Sequence, residues 1–203
     1  MSAVRVRGVT KAFAGVRVLD GVDLTVDEGE IVVLLGRSGS GKTTLLTIVT
    51  DFDRPDAGTV EHAAGTSWTE LAVLPQSLGL LPELTVAENV AMPLRLGRED
   101  GDVGGLLERL GLTHLAGRYP SETSLGEQQR TALARAVVVR PRLLVADEPV
   151  SHQNRAWAEV MMAVVRELAD AGTACLLATH DEVVVSAADR VVEMHDGRVH
   201  AVG

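Results

Sequence analysis

The feature that most constrains this 203-residue chain is a glycine-rich loop set between an apolar run and a helical pattern. The apolar run covers residues 31–35, and helical spacing begins at residue 42. The loop region reads Gly36, Arg37, Ser38, Gly39, Ser40, Gly41, Lys42, Thr43 and Thr44. In a strand-to-helix setting, the pattern G-x-x-x-x-G-K-T turns backbone N–H groups inward around phosphates, whereas an ordinary turn would leave the lysine in solvent. It predicts a phosphate-binding loop in which Lys42 contacts the β- and γ-phosphates and Thr43 ligates Mg²⁺.

Short apolar runs alternate with helical patterns along most of the chain. The runs cover residues 31–35, 71–74, 143–146 and 174–178, and the helical patterns lie around 42–50, 125–139 and 156–170. This alternation predicts an α/β fold with a mainly parallel core sheet covered by helices. The glycine-rich loop in its strand-to-helix setting indicates that this fold is that of a P-loop NTPase. The strand-like residues 4–9, 18–19 and 22–26, with glycine-containing turns, predict an N-terminal antiparallel β subdomain.

A helical stretch from about residue 84 to 120 is interrupted by the polar, glycine-rich residues 97–105. We interpret residues 77–125, approximately, as a helical subdomain inserted into the α/β core. The chain has the length of one domain and shows no internal repeat or low-complexity segment. Residues 1–203 are therefore predicted to form a single domain with this insertion.

Composition and charge narrow the class of protein. The formal net charge of −9 argues against a nucleic-acid or anionic-lipid surface as the main contact, because both favour basic patches. The lone cysteine, Cys175, lies in an apolar run, so no intrachain disulfide exists and a buried, unreactive thiol is predicted. The N-terminus lacks the apolar core of a signal peptide, and no apolar stretch approaches about 18 residues. We expect a cytosolic chain that does not itself span a bilayer.

Polar or glycine residues follow each apolar run of the predicted sheet. They are Gly36, Gln76, the pair Asp147 and Glu148, and His180. Ligands gather at the carboxyl ends of the strands in open α/β sheets, which makes this edge a candidate site. We expect Asp147 to hold a metal's hydration shell and Glu148 to polarise an attacking water as general base. Adjacent acids at a strand end are often solvated turn residues, but a neighbouring phosphate loop favours the nucleotide interpretation.

Two further residues of this edge have alternative interpretations. The Gln76 amide would sense Mg²⁺ and the attacking water, or it is an exposed loop residue. The His180 imidazole would contact the γ-phosphate and the water, or it is a structural histidine. Their position at the ends of neighbouring strands favours the catalytic interpretation.

Two candidate binding groups lie outside that edge. Phe13 would stack on an adenine ring, or it packs under the side sheet. Ser124 precedes Glu127 by three residues, the spacing of a capping box in which each side chain satisfies the other's backbone N–H. The start of the following helix, with Gly126, is also a potential anion site.

Together these residues resemble the nucleotide-binding subunit of the ATP-binding-cassette (ABC) transporter family, and the resemblance covers essentially the whole chain. In chain order the matching parts are Phe13 (adenine-stacking loop), residues 36–44 (Walker A), Gln76 (Q-loop), residues 124–128 (signature), residues 143–148 (Walker B) and His180 (switch histidine). The resemblance implies that the chain binds ATP and Mg²⁺ and hydrolyses ATP. It implies that Ser124, Gly126 and Glu127 belong to a signature that binds the γ-phosphate held by the opposite subunit.

The family resemblance also implies partners. One Walker A and one signature that act in trans imply a homodimer, or a paired second ATPase subunit, closing head to tail around two ATP molecules. Transport implies a separate integral membrane permease, docked near Gln76 and the helical insertion, and no nucleic acid. The chain would then lie in the cytoplasm, peripheral at the inner face of the membrane. Residues 80–90 and 119–122 are similar to the group of lipoprotein-releasing, macrolide-export and cell-division ABC ATPases.

Two positions depart from the family pattern. Leu125 stands where the signature usually has glycine, and its side chain would occupy space where the backbone must approach phosphate. After Walker B the family usually reads Ser-Ala-Leu-Asp, whereas this chain reads Ser151, His152, Gln153 and Asn154. These departures favour an alternative interpretation, in which the chain is a non-transport regulator that is switched by ATP and hydrolyses it slowly. An ABC ATPase acting on DNA or ribosomes is disfavoured, because such proteins usually carry two cassettes or long coiled-coil insertions.

Overall fold

The computed structural model describes residues 1–63, 70–97 and 100–201. Its strands are β1 (Ser2–Phe13), β2 (Val16–Asp27), β3 (Ile31–Leu35), β4 (Ala57–His62), β5 (Leu71–Leu74), β6 (Leu143–Asp147), β7 (Ala174–Ala178), β8 (Arg190–His195) and β9 (Arg198–Ala201). Its α-helices are α1 (Lys42–Val49), α2 (Val86–Gly97), α3 (Val103–Arg109), α4 (Leu125–Val137), α5 (Arg155–Asp170) and α6 (Glu182–Ser186). Short 3₁₀ helices cover Thr113–Leu115 and Pro120–Glu122.

Six strands form the central sheet in the order β5-β6-β7-β3-β8-β9. All pairs from β5 to β8 are parallel, and β9 closes the edge antiparallel to β8. Every residue of β6 and β7 is buried, which explains why these strands read as continuous apolar runs rather than as alternating patterns. The predicted mainly parallel α/β sheet is confirmed, and β8 and β9 extend it beyond the runs seen in the sequence.

The N-terminal residues form a separate antiparallel sheet in the order β2-β1-β4. The β1–β2 pairing runs from Ser2 opposite Asp27 to Phe13 opposite Val16, so the two strands form one long hairpin. The predicted antiparallel β subdomain is confirmed, and its strands are longer than their apolar patterns indicated. The third strand, β4, was not predicted, because its alternating small and polar residues carry little apolar signal.

The central sheet buries both faces against different layers. Along β3, Ile31 and Val33 pack with α2, α4 and α5, whereas Val32 and Leu34 pack with α1 and the antiparallel sheet. This division follows from the alternation of side chains across a strand. Both faces of β3 are therefore covered by apolar side chains up to the end of the strand.

The helical region between β5 and β6 contains α2, α3 and the two 3₁₀ helices. The predicted polar break at 97–105 is narrower than expected, because α2 includes Gly97 and α3 begins at Val103. Asp102 explains the early start of α3: its carboxylate accepts a hydrogen bond from the Gly105 N–H at 2.8 Å, which caps the helix. Residues 98 and 99 of the predicted break lie outside the described residues.

Candidate functional site

The glycine-rich loop joins β3 to α1, as predicted. Gly36 has φ +158°, and a Cβ at this position would lie 2.4 Å from the Met194 carbonyl oxygen. Gly41 has φ +106°, and a Cβ there would lie 2.8 Å from the Val18 carbonyl oxygen. Both positions therefore require glycine, because the backbone of β8 lies close to Gly36 and that of β2 lies close to Gly41.

No side chain caps the backbone N–H groups at the start of α1. Gly41 is the N-cap residue and provides no capping side chain, and the first turn contains no acidic residue. The free N–H groups of a helix N-terminus and its dipole favour an anion at this point. Lys42 reaches back across the loop, where its Nζ donates to the Gly36 carbonyl at 2.5 Å and to the Arg37 carbonyl at 3.1 Å.

Thr43 and Asp147 bring the loop and the neighbouring part of the sheet together. The Thr43 Oγ1 hydroxyl donates to Asp147 Oδ2 at 2.6 Å, although the residues lie on α1 and at the end of β6. The hydroxyl and the carboxylate offer two oxygen ligands close together. Mg²⁺ usually binds only one or two protein oxygens, and substrate phosphates and water complete its octahedral coordination. The donor set therefore fits Mg²⁺.

Glu148 is held in an unusual conformation directly after β6. Its φ is +51°, a left-handed value that costs free energy for a residue other than glycine. The Glu148 N–H donates to the Ala178 carbonyl at 2.8 Å, and the Thr179 hydroxyl donates to Glu148 Oε2 at 2.9 Å. His180 Nδ1 lies 2.9 Å from Glu148 Oε1. The Glu148 side chain is 15% exposed and that of His180 is 80% exposed, so the carboxylate is partly buried behind an accessible imidazole.

One cavity of about 730 Å³ joins these groups. Its wall consists of Val18, Gly36, Arg37, Ser38, Gly39, Gly41, Lys42, Thr43, Thr44, Gln76, Asp147, Glu148, Ser151 and His180. The four predicted strand ends therefore meet around one space, as the parallel topology requires. Of the predicted loop residues, Ser40 is not on the wall, because its side chain turns into the loop and its hydroxyl is buried.

The signature residues are not brought to this cavity within the chain. Ser124 caps α4, and its N–H and hydroxyl donate to Glu127 Oε2 at 2.7 and 2.8 Å. These two bonds lower the pKa of Glu127, the backbone bond most strongly. Leu125 is 48% exposed and does not have a positive φ, so its Cβ causes no backbone strain. Neither Ser124 nor Gly126 lines the cavity, and contact with a nucleotide would require a second subunit.

Phe13 also lies outside the cavity wall. It ends β1 at the tip of the hairpin and is 49% exposed, which does not agree with packing under the side sheet. Lys11 Nζ lies 5.2 Å from the ring centroid. Adenine stacking by Phe13 stays a prediction.

Besides Val18, which lines the cavity from β2, three polar residues that contact the site were missed by sequence reasoning. Thr179 donates to Glu148, Ser151 lines the cavity, and Gln129 donates from its Nε2 to the Glu148 carbonyl at 2.8 Å. Thr179 and Ser151 are polar residues within a few positions of recognised motifs, which is the signal that could have identified them. Gln129 lies on a buried helix face far along the chain from Glu148, and its partner could be found only from the fold.

A protein-family model described as ABC transporter matches residues 19–151, which include the glycine-rich loop and the two acids after β6. The chain belongs to the ABC transporter family. It is 41% identical over 220 residues to the lipoprotein-releasing system ATP-binding protein LolD of Bordetella avium (strain 197N), covering 98% of this chain and 96% of that protein. The sulfate/thiosulfate import ATP-binding protein CysA of Bordetella parapertussis is 40% identical over 219 residues, covering 99% of this chain and 62% of that protein.

Solved ABC cassettes have the same fold. The dimeric ATP-binding cassette MJ0796 in a post-hydrolysis state, bound to ADP and Pi, superposes with a TM-score of 0.87 at 28% identity, covering 98% of this chain and 99% of that chain. This chain is therefore an ATP-binding subunit of the ABC transporter ATPase family, and the solved MJ0796 cassettes that share its fold are dimers. Within the described residues, no helix is long and apolar enough to cross a membrane.

Proposed function

We propose that this ABC ATPase uses the cavity at the ends of β3, β5, β6 and β7 to hydrolyse Mg²⁺–ATP for a permease of the lipoprotein-releasing type. The Thr43–Asp147 hydrogen bond is the observation that carries this proposal, because it joins the hydroxyl and the carboxylate that would hold Mg²⁺, at the phosphate loop and beside Glu148. The similarity to LolD proteins supports the choice of permease.

In this proposal the phosphate loop binds the nucleotide. Backbone N–H groups of residues 36–44 would surround the β- and γ-phosphates, and Lys42 would exchange its two carbonyl acceptors for phosphate oxygens. Thr43, Asp147 and the Gln76 amide would hold Mg²⁺, which neutralises charge on the phosphates when bound. Phe13 would stack on the adenine.

Glu148 would accept a proton from the attacking water. Thr179 and His180 fix the orientation of its carboxylate before any nucleotide enters, which avoids reorganisation during the reaction. The exposed imidazole of His180 would contact the γ-phosphate through its other ring nitrogen, Nε2, while Nδ1 stays bonded to Glu148. The general base and the two side chains that orient it would thus all come from one subunit.

The second subunit would complete the site. Ser124, Gly126 and Glu127 at the start of α4 would face the γ-phosphate of ATP bound to the partner, in a head-to-tail dimer. The chain would act as a single domain whose helical region around 77–125 contacts the permease. It would therefore lie in the cytoplasm, peripheral to the inner face of the membrane, with no nucleic-acid partner.

Leu125 favours a second candidate, an ATP-switched regulator with slow turnover. Its exposed isobutyl group stands at the start of α4, where the family usually has no side chain. Asn154 is the weaker argument, because it caps α5 by accepting from the Trp157 N–H at 3.0 Å and so has a structural role.

The decisive experiment measures ATP hydrolysis by the purified chain, alone and with a permease of the lipoprotein-releasing type, in the presence and absence of Mg²⁺. The proposal expects Mg²⁺-dependent turnover that the permease stimulates. Tight ATP binding with dimerisation but no turnover under either condition would favour the regulator.

A further inference from the structure

Lys11 lies on β1 near the tip of the β1–β2 hairpin, beside a change in the register of the two strands. Lys11 is opposite Leu19. The next residue, Ala12, is opposite Arg17, so Val18 has no partner in register. An extra residue of this kind bends its strand and re-aims its side chain. Val18 lines the cavity of the glycine-rich loop, so the hairpin borders the proposed nucleotide site at the point where it bends.

Phe13 lies beyond this bend, at the exposed turn of the hairpin. It pairs with Val16, and the two residues between them, Ala14 and Gly15, have φ +48° and +81°. Positive φ at both central residues is typical of a tight two-residue hairpin turn. The Phe13 ring is half-exposed, so the packing of the hairpin covers only part of it. A ring in this position needs a further contact to keep one orientation.

The ammonium group of Lys11 supplies that contact. Its Nζ lies over the Phe13 ring, 5.2 Å from the centroid and within the roughly 6 Å at which a cation and an aromatic face attract each other. The same Nζ donates to Asp53 Oδ1 at 2.8 Å and to the Arg54 carbonyl at 2.7 Å. The Lys11 side chain is 12% exposed, so the cation is held beside the ring and largely away from solvent.

The partners of Lys11 belong to the segment that follows α1, the helix that begins at the phosphate loop. The Asp53 N–H donates to the Thr47 carbonyl of α1 at 3.1 Å. Three residues further on, Asp56 Oδ2 accepts from the Ala12 N–H at 2.7 Å. These contacts tie the hairpin tip to the phosphate-loop helix, and so hold the aromatic ring in place relative to that loop.

We propose that Lys11 is a positioning residue for the adenine base, which it serves by fixing the orientation of the Phe13 ring. The inference rests on the proposed function, in which Phe13 stacks on the base while residues 36–44 bind the phosphates. The cation lies over one face of the ring, so the base would stack on the other. The chain contains only two lysines. Lys42 would then serve the phosphates of the nucleotide, and Lys11 would serve its base.

The test measures the affinity of the full-length chain for ADP and for inorganic pyrophosphate, each with Mg²⁺, by isothermal titration. Both ligands carry two phosphates, and only ADP carries the base. Lys11→Met removes the ammonium group and keeps an unbranched side chain. We expect it to weaken ADP binding roughly fivefold and to leave pyrophosphate binding unchanged. A merely structural role predicts equal loss for both ligands or no loss for either, and each of these results would overturn the proposal.

Phe13→Ala shows whether the effect passes through the ring. It should weaken ADP binding roughly tenfold, the order of magnitude that stacking of a base on an aromatic side chain supplies. Lys11→Met should cause no further loss in a chain that already carries Phe13→Ala. The same fivefold loss in that chain contradicts the proposal. Wild-type ADP affinity in Phe13→Ala contradicts it too, because there would be no stacking for Lys11 to support.

Arg7→Met is the matched control. It removes a cation from the same strand, where Arg7 Nη1 lies 4.0 Å from Glu61 Oε1 in an exposed ion pair. The affinity of this variant for ADP should equal that of the wild type. Equal loss in Arg7→Met and Lys11→Met would attribute the effect to net charge and rule out a specific role for Lys11.

Lys11→Gln provides a second measurement, because it is neutral but keeps a donor for Asp53 and for the Arg54 carbonyl. It should show the same selective loss of ADP affinity. Wild-type ADP affinity in either folded variant overturns the proposal, and so does loss of folding in both, which would make Lys11 structural only. Failure of the wild type to bind either ligand would instead refute the proposed function, so the two failures are distinguishable.

Discussion

Glu148 and His180 are in direct contact, with His180 Nδ1 2.9 Å from Glu148 Oε1, and the contact joins the ends of β6 and β7. We predict that Glu148→Gln traps an ATP-bound dimer. The amide retains partners for Thr179 and His180, so the fold should be preserved while loss of the general base lowers turnover by about 10²- to 10⁴-fold. Gel filtration with and without ATP, with a parallel ATPase assay, measures both effects. A variant that stays monomeric with ATP would contradict the dimer mechanism or show that Leu125 blocks closure.

Lys42→Ala should abolish nucleotide binding. The substitution removes the ammonium group that is positioned across the phosphate loop, where it bonds the Gly36 and Arg37 carbonyls. Isothermal titration with ATP measures the affinity, and circular dichroism checks the fold. Arg109→Ala is the control, because it removes an equal charge from an ion pair with Glu167 on the helical surface. Unchanged ATP affinity in Lys42→Ala would remove the central site assignment.

Removing the side chain of Leu125 should raise turnover. The isobutyl group is exposed at the first residue of α4, where a phosphate of the partner's ATP is expected to approach. We predict an increase of roughly fivefold in kcat for Leu125→Gly, equivalent to about 1 kcal/mol, and a smaller increase for Leu125→Ala, which keeps a Cβ. Steady-state ATPase rates of the three proteins test this order. Equal or lower rates in both variants would show that the leucine is accommodated.

Thr179→Val should impair catalysis more than stability. Valine fills the same buried space but removes the hydroxyl that donates to Glu148 Oε2 and accepts from the Asp181 N–H at 3.1 Å. The free energy of unfolding should fall by about 1 kcal/mol, and kcat should fall roughly tenfold. Thr179→Ser keeps the hydroxyl and should stay within about twofold of the wild-type kcat. A Thr179→Val chain with wild-type kcat would show that His180 alone orients the carboxylate.

Cys175 should make the protein less stable in alkaline solution. Burial of the thiol raises its pKa to about 12, so the folded chain keeps a proton that the unfolded chain releases above about pH 8.5. The stabilisation is fully present below the unfolded pKa and is lost as pH rises toward the folded value. Between pH 8 and 10.5, the free energy of unfolding of the wild type should therefore fall more steeply than that of Cys175→Ala. Parallel slopes would contradict a buried thiol, as would rapid alkylation of the native chain at pH 8.

Much of the site was predictable because its residues are local motifs. The phosphate loop, Asp147 and Glu148 each follow a strand whose apolar run is visible in the sequence, and parallel topology then brings the strand ends together. What local patterns could not provide is the partner of a buried polar group. Gln129 looks like an ordinary helix residue, yet its amide holds the backbone of Glu148, and only the packing of α4 against the sheet reveals this contact. Strands β4, β8 and β9 were missed for a related reason, because their short, partly polar sequences gain strand structure from their neighbours.

The position of β7 has a consequence for synthesis. β7 lies between β3 and β6, although both of those strands leave the ribosome before it does. Until Ala174–Ala178 emerges, β3 lacks both of its sheet neighbours and β6 is unpaired on one side. Unpaired strand edges of this kind make partly folded chains prone to aggregation. The site around Glu148 is also incomplete until then, because Thr179 and His180 follow β7 directly. A chain that ends before residue 179 therefore lacks both side chains that hold the Glu148 carboxylate.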